Sequence, residues 1–398
     1  MIEFDEAADQ SGPQTVAPRI ASLPRVLGAI AAPRTTATAI DRLIAEHGVP
    51  LAAGGTYTFV WRGDADAVAL EHRVMGLPRP VPLRRVRGTD RWHATLALPR
   101  GSRVEYRFLV RRGAAIESLD DPLNHRRSRD PWGSASVLEA EGYETPPWAV
   151  HDPAVAQGSL VEVKIDSRSL AREARITLYL PARLRPGDEL PLLVLHDGGD
   201  YLEYAGMRTV LDNLMHRRAV ADCMVAFTYP HDRLVEYAAG AAHSAFLNSE
   251  LIPELERTLP VQRRPQARFL GGASLGAIAS LAAALESPHF YGGLFLQSAS
   301  LFASALERDQ RAGPAVRPVA RFTTALSAKP RLITDRIFQS VGAFEPLAAR
   351  NRAMRGVMDR LATETGYVEG LDGHNWTSWR DRMLDGLAWL LPGDAAPV

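Results

Sequence analysis

The chain has 398 residues, 46% hydrophobic and 23% charged, and its 46 basic and 46 acidic side chains cancel to a formal net charge of zero. That composition is ordinary for a soluble globular protein and argues against nucleic acid as the main partner. No apolar run reaches the roughly 18 residues of a membrane span. The single cysteine, Cys223, cannot close an internal disulfide, and the acidic start Met1-Ile-Glu-Phe-Asp-Glu has neither the basic nor the apolar region of a signal peptide, so a cytoplasmic protein is expected.

The length leaves room for two domains. Residues 1–48 read as an Ala-, Pro- and Thr-rich extension with a helical turn around Leu23–Ile30, then a helix over Thr36–His47 with Ile40, Leu43 and Ile44 on one face and Gly48 as its stop. From Gly55 the pattern changes to period two. Thr56–Trp61, Trp92–Leu98 and Val104–Val110 alternate apolar and polar residues between turn signals, which predicts a small antiparallel β-sandwich over 49–145. His125–Trp132 is a basic, exposed loop, and 146–158 is a linker opened by Pro146-Pro147.

A second regime fills 159–398. Leu160–Ile165 and Arg175–Leu180 form an antiparallel pair, and apolar strands follow at Pro191–Leu195, Met224–Phe227, Arg268–Leu270, Gly293–Leu296 and Arg336–Val341. Helical patterns intervene at Arg208–Arg217, Ala242–Thr258, Leu275–Glu286 and Pro346–Thr365, and a last helix runs Trp379–Leu391. Apolar strands alternating with helices predict an α/β domain with a mostly parallel sheet covered on both faces.

The stretch Gly272-Ala273-Ser274-Leu275-Gly276 carries the chemistry. A G-x-S-x-G turn between a buried strand and a helix strains the serine and lifts its hydroxyl off the sheet, beside the free N–H groups of the helix start. A serine hydroxyl is a weak nucleophile and needs a base. His374, in a loop after the strand-like Gly366–Glu369, stands where an α/β-hydrolase keeps its histidine. Glu345, just past the strand Arg336–Val341, is the expected acid, with Asp335 and Asp372 as fallbacks. Two N–H donors must face the developing oxyanion. Leu275 supplies one, and the loop His196-Asp-Gly-Gly-Asp-Tyr201 the other, with Gly199 preferred and Asp200 second.

These stretches carry a resemblance. Leu193-Val-Leu-His-Asp-Gly198, Arg233-Leu-Val-Glu-Tyr237, Gly271-Gly-Ala-Ser-Leu-Gly276, Phe344-Glu-Pro346 and Gly373-His-Asn-Trp376 resemble the enterochelin (ferric enterobactin) esterase family, in the putative-esterase branch of the α/β-hydrolases. Phe59-Val-Trp61, Leu83–Asp90 with Trp92, Tyr106-Arg-Phe108 and Asp121-Pro-Leu-Asn124 are similar to that family's own sandwich domain. The resemblance implies an α/β-hydrolase preceded by the sandwich, a nucleophile, acid and base at Ser274, Glu345 and His374, and hydrolysis of a cyclic catecholate tri-ester that helps to release iron in the cytoplasm. It implies a small-molecule ester substrate, metal-loaded or metal-free, and no resident metal or organic cofactor. A ferric tris-catecholate is anionic, so Arg84, Arg107 and Arg233 are substrate-contact candidates, joined by Trp376. A carbohydrate-ester (feruloyl or acetyl) esterase is the alternative, and a non-catalytic glycan- or partner-binding protein the more distant one.

Overall fold

The computed structural model describes residues 18–24, 27, 28, 30, 32, 35–71, 77, 79–131, 133–302 and 313–394, so the first 17 residues of the expected extension lie outside it. The chain divides into two compact units, His125 and the residues before it with Leu138–Tyr143, and Arg126–Val137 with Glu144–Val398. It leaves the first unit at Arg126 and returns at Leu138, earlier than the continuous sandwich expected over 49–145.

In the first unit Thr36 caps the helix Ala37–His47, its side chain accepting from the Ala39 N–H at 3.2 Å. One antiparallel sheet joins Arg91–Ala97 to Thr56–Arg62 and to Arg19–Ile20, and a second is built on Phe108–Arg112, Ala67–Leu70 and Ala115–Leu119. Alternation sends Phe59 and Trp61 inward, where they meet Tyr106 and Phe108 edge-on at 4.8 and 5.3 Å. The Tyr106 hydroxyl donates to Asp121 at 2.6 Å and accepts from Asn124 at 3.0 Å, which pins the turn after the sandwich strands.

The second unit is organised by one eight-stranded sheet: β1 (Ser159–Ser167), β2 (Arg172–Leu180), β3 (Leu192–Leu195), β4 (Met224–Thr228), β5 (Arg268–Ala273), β6 (Gly293–Gln297), β7 (Thr334–Gly342) and β8 (Ala362–Gly370). Their spatial order is β1-β2-β4-β3-β5-β6-β7-β8, antiparallel across β1, β2 and β4 and parallel from β4 onward. The short apolar β3 shows why this sheet forms. Leu192 and Val194 enter the core on one face, Leu193 and Leu195 the core on the other, and all four are buried. Each such side chain contributes about 2 kcal/mol when fully buried. β4 and β5 lie on opposite sides of β3, so the strand order reverses there, and the carboxyl ends beside a reversal leave a crevice.

Three expected elements differ. The helix expected over Pro346–Thr365 ends at Met358, and Ala362–Gly370 is a strand, because pairing with β7 along its length outweighs local helix propensity. The helix expected over Ala242–Thr258 is interrupted by a π-helical turn at Phe246–Leu251. The last helix starts earlier and is split into Trp376–Asp381 and Met383–Leu390. The break falls at Arg382, whose guanidinium is drawn inward to the buried carboxylate of Asp372. Among the described residues no helix is long and apolar enough to cross a membrane.

Candidate active site

Ser274 sits between β5 and the helix Leu275–Glu286 at φ 58°, ψ −116°, a conformation that L side chains rarely adopt. Close packing imposes it. A Cβ on Gly272 would stand 2.8 Å from the Gly276 carbonyl carbon, and one on Gly276 would stand 3.0 Å from the His196 Cβ. The helix is buried continuously from Leu275 to Ala284, so it cannot retreat from the strand. The Ser274 N–H donates to Gln297 O at 2.8 Å, and its carbonyl accepts from the Ser300 N–H at 3.2 Å. These bonds fix the backbone and leave the hydroxyl at the rim. There it shares a hydrogen bond of 3.0 Å with the Ser300 hydroxyl.

The loops after β7 and β8 bring Glu345 and His374 together. The Ala343 N–H donates to Gly370 O at 2.8 Å and the Phe344 N–H to Asp372 O at 2.9 Å, so the two loops are stitched by their backbones. Glu345 Oε2 then lies 3.1 Å from His374 Nδ1. Glu345 is wholly buried at its side chain while His374 keeps 27% exposure, so the carboxylate lies behind the ring and the ring reaches the surface. Trp379 braces the imidazole edge-to-face at 5.0 Å. His374 makes no hydrogen bond to Ser274 here; the serine's partner is Ser300. Neither fallback carboxylate hydrogen-bonds to His374. Asp372 pairs with Arg382, and Asp335 accepts from Gln266 at 3.3 Å.

The loop after β3 is shaped by Asp197, which is left-handed at φ 55° and starts the helix Gly198–Glu203. First-turn N–H groups have no intrahelical acceptor, which applies to Gly199 here and to Leu275 in the helix after Ser274. The Asp200 N–H, the second choice from sequence, is committed to Asp197 O at 3.0 Å. Its carboxyl is pushed up to about 6, first by burial and then by the negative charge of Asp197. Arg233, expected to meet substrate, clasps Asp197 through Nε at 2.9 and 3.0 Å and Nη2 at 2.8 Å and so braces the loop. Trp376, also expected to touch substrate, is 1% exposed and packs between Tyr201 and Trp379. In the first unit Arg84 is exposed and Arg107 is paired with Asp120 at 3.0 Å.

The model of the family described as "Putative esterase" matches residues 167–390, more than half of the chain. This chain belongs to that family. It is a carboxylic ester hydrolase. Among similar proteins is an iron(III) enterobactin esterase of Dickeya dadantii (strain 3937), 25% identical over 355 residues that cover 79% of this chain and 80% of the relative. The uncharacterized protein YjcH of Bacillus subtilis (strain 168) is 24% identical over 243 residues, 59% of this chain and 98% of that one. The fold of this esterase is similar to that of the enterochelin esterase of Shigella flexneri, with a TM-score of 0.64 at 22% identity over 84% of this chain and 92% of the other. The likeness extends over both units, as the α/β-hydrolase with a preceding sandwich requires.

Three groups around the site were missed in the sequence: Ser300, the Asp197–Arg233 pair and a buried contact between His196 and His243. The last two join residues 36 and 47 positions apart, and no local periodicity marks such partners.

Proposed function

We propose that this esterase works through Ser274, His374 and Glu345 on a catecholate trilactone siderophore, cleaving its ester bonds in the cytoplasm so that bound iron can be released. The observation that carries the catalytic part is the 3.1 Å contact of Glu345 with His374 at the sheet rim where the strained Ser274 elbow ends. The substrate class is supported by the enterobactin esterase relatives, whose likeness spans about four-fifths of both chains.

On this reading Ser274 Oγ turns from Ser300 toward His374 as substrate enters. It attacks the ester carbonyl carbon while Nε2 of His374 takes its proton. Glu345 holds Nδ1–H and stabilises the imidazolium. The Gly199 and Leu275 N–H groups receive the oxyanion; removing one such donor costs about 2.7–4 kcal/mol in the barrier. The C–O bond breaks, the alcohol leaves with the proton from His374, and water deprotonated by the same imidazole then releases the acid. Iron is cargo of the substrate.

A fluorophosphonate probe and a hydrolysis panel test this. The wild type is expected to label at Ser274 and to prefer a ferric or iron-free trilactone over feruloyl, acetyl and simple aryl esters; Ser274→Ala should neither label nor turn over. Labelling elsewhere would remove the nucleophile. Preference for a feruloyl ester would keep the mechanism and replace the substrate.

A further inference from the structure

Behind the oxyanion loop lies a buried pair of histidines that the mechanism above does not use. His196 is the last residue before the left-handed Asp197 and is fully buried; His243, on the helix Ala241–Ala245, is 4% exposed. Their Nε2 atoms are 3.0 Å apart, and their ring centroids 5.1 Å. His196 Nδ1 is 2.9 Å from the carbonyl oxygen of Gly271 on β5 and 3.2 Å from the Ser280 hydroxyl on the nucleophile helix. One imidazole therefore touches the strand that carries Ser274, the helix that begins with Leu275, and the loop that carries Gly199.

The partners dictate where the protons are. A carbonyl oxygen can only accept, so Nδ1 of His196 carries the hydrogen. The Ser280 hydroxyl donates to Gly276 O at 2.9 Å and so accepts from the same N–H. In a neutral ring Nε2 is then a bare acceptor, and the facing Nε2 of His243 must be the donor. That leaves Nδ1 of His243 a bare acceptor; it has no hydrogen-bond partner, and Glu236 Oε2 at 3.8 Å is beyond hydrogen-bond reach. Burial keeps both rings neutral, pushing His196 down to about 4 and His243 well below its ordinary value. Tyr237 closes the arrangement: its hydroxyl accepts the Asp197 N–H at 3.1 Å while its ring packs edge-on against His196 at 4.9 Å.

We infer that His243 is a positioning residue for ester hydrolysis: by donating to His196 Nε2 it selects the Nδ1-protonated form of His196, which ties the Gly199 loop to the strand and helix flanking Ser274. The inference rests on the oxyanion role proposed for Gly199 and Leu275. Without the donor on residue 243, the bare Nε2 of His196 is buried unpaired. The ring then gains by changing tautomer or orientation, and either change breaks its bond to Gly271. Loss of a whole oxyanion donor lowers kcat by about 10²–10³; a loosened donor gives part of that.

The test compares His243→Leu, His243→Gln and Ser274→Ala in full-length protein, with kcat and KM for an aryl ester, thermal melting, and nitrogen-15 NMR of the imidazoles. His243→Leu should lower kcat at least about tenfold with little change in KM. His243→Gln, whose carboxamide can donate to the same nitrogen, should restore most of the loss. The wild-type spectrum should show His196 protonated at Nδ1 and His243 at Nε2. Should His243→Leu fail to fold, the spectrum and the Gln variant still decide. An unchanged kcat in a folded His243→Leu, a loss that Gln does not recover, or His196 protonated at Nε2 would overturn the inference alone, provided Ser274→Ala is inactive. An active Ser274→Ala would overturn the catalytic reading and this inference with it.

Discussion

Replacing Arg382 with methionine keeps most of the side chain's length and removes its charge from under the loops that carry Glu345 and His374. In the structure Asp372 is 8% exposed, and its carboxylate is paired with Arg382, which is itself 4% exposed. Removing one partner of a buried ion pair costs about 3–5 kcal/mol. The Asp372 carboxyl is already pushed up from 3.8 to about 6, chiefly by burial, with Arg382 opposing. A carboxyl whose folded pKa lies above its unfolded value binds its proton more readily when folded. Its favourable contribution is therefore complete below about pH 4 and is lost as pH rises through about 6, a change on the order of 3 kcal/mol. Without Arg382 the folded value moves higher still, so the loss continues further up the pH scale. Urea unfolding at pH 5 and pH 8 should therefore show Arg382→Met destabilised by about 3–5 kcal/mol at pH 8 and by about 1–2 kcal/mol at pH 5, where the wild-type carboxyl is already largely protonated. The Asp372 carbonyl also anchors Phe344, next to Glu345, and His374 follows two residues on, so kcat at pH 8 should fall as well. An equal loss of stability at the two pH values would refute the reasoning.

Glu345→Gln preserves shape, removes the negative charge beside His374 Nδ1 and puts an amide donor there that can select the other tautomer; kcat should fall by about 10³–10⁴ with the melting temperature little changed, measured by steady-state kinetics on an aryl ester. Gly272→Ala puts a methyl group 2.8 Å from the backbone of Gly276, where no flexible side chain can yield, and should cost about 1–3 kcal/mol by denaturant unfolding along with most of the activity. Arg233→Lys loses the two-nitrogen grip on Asp197, and kcat should drop more than KM changes; a purely higher KM would instead return Arg233 to the role of substrate contact.

How much of this was legible in the chain can be judged from particular residues. The strand–turn–helix around Ser274 was readable because an apolar run, paired glycines and an alanine-rich helix follow one another within a few residues. The helix ending at Gly48 and the β1–β2 pair were readable for the same local reason, whereas the role of Thr36 as that helix's cap was not read. The strand Ala362–Gly370 was only half recovered, since its first residues suit a helix and only the neighbouring β7 makes them a strand.

Sequence alone marked most strands of the main sheet, the serine elbow and the three chemical groups that the proposed mechanism uses, because each is signalled by residues close together along the chain; it did not mark the helix Val316–Ala328. Tertiary structure alone decided that Arg233 grips Asp197, that Trp376 is interior, that Asp372 belongs to Arg382, and that His196 and His243 meet. Buried charges and buried ring nitrogens must find partners, and which partner is near enough is fixed by the packing of distant segments, not by anything written locally.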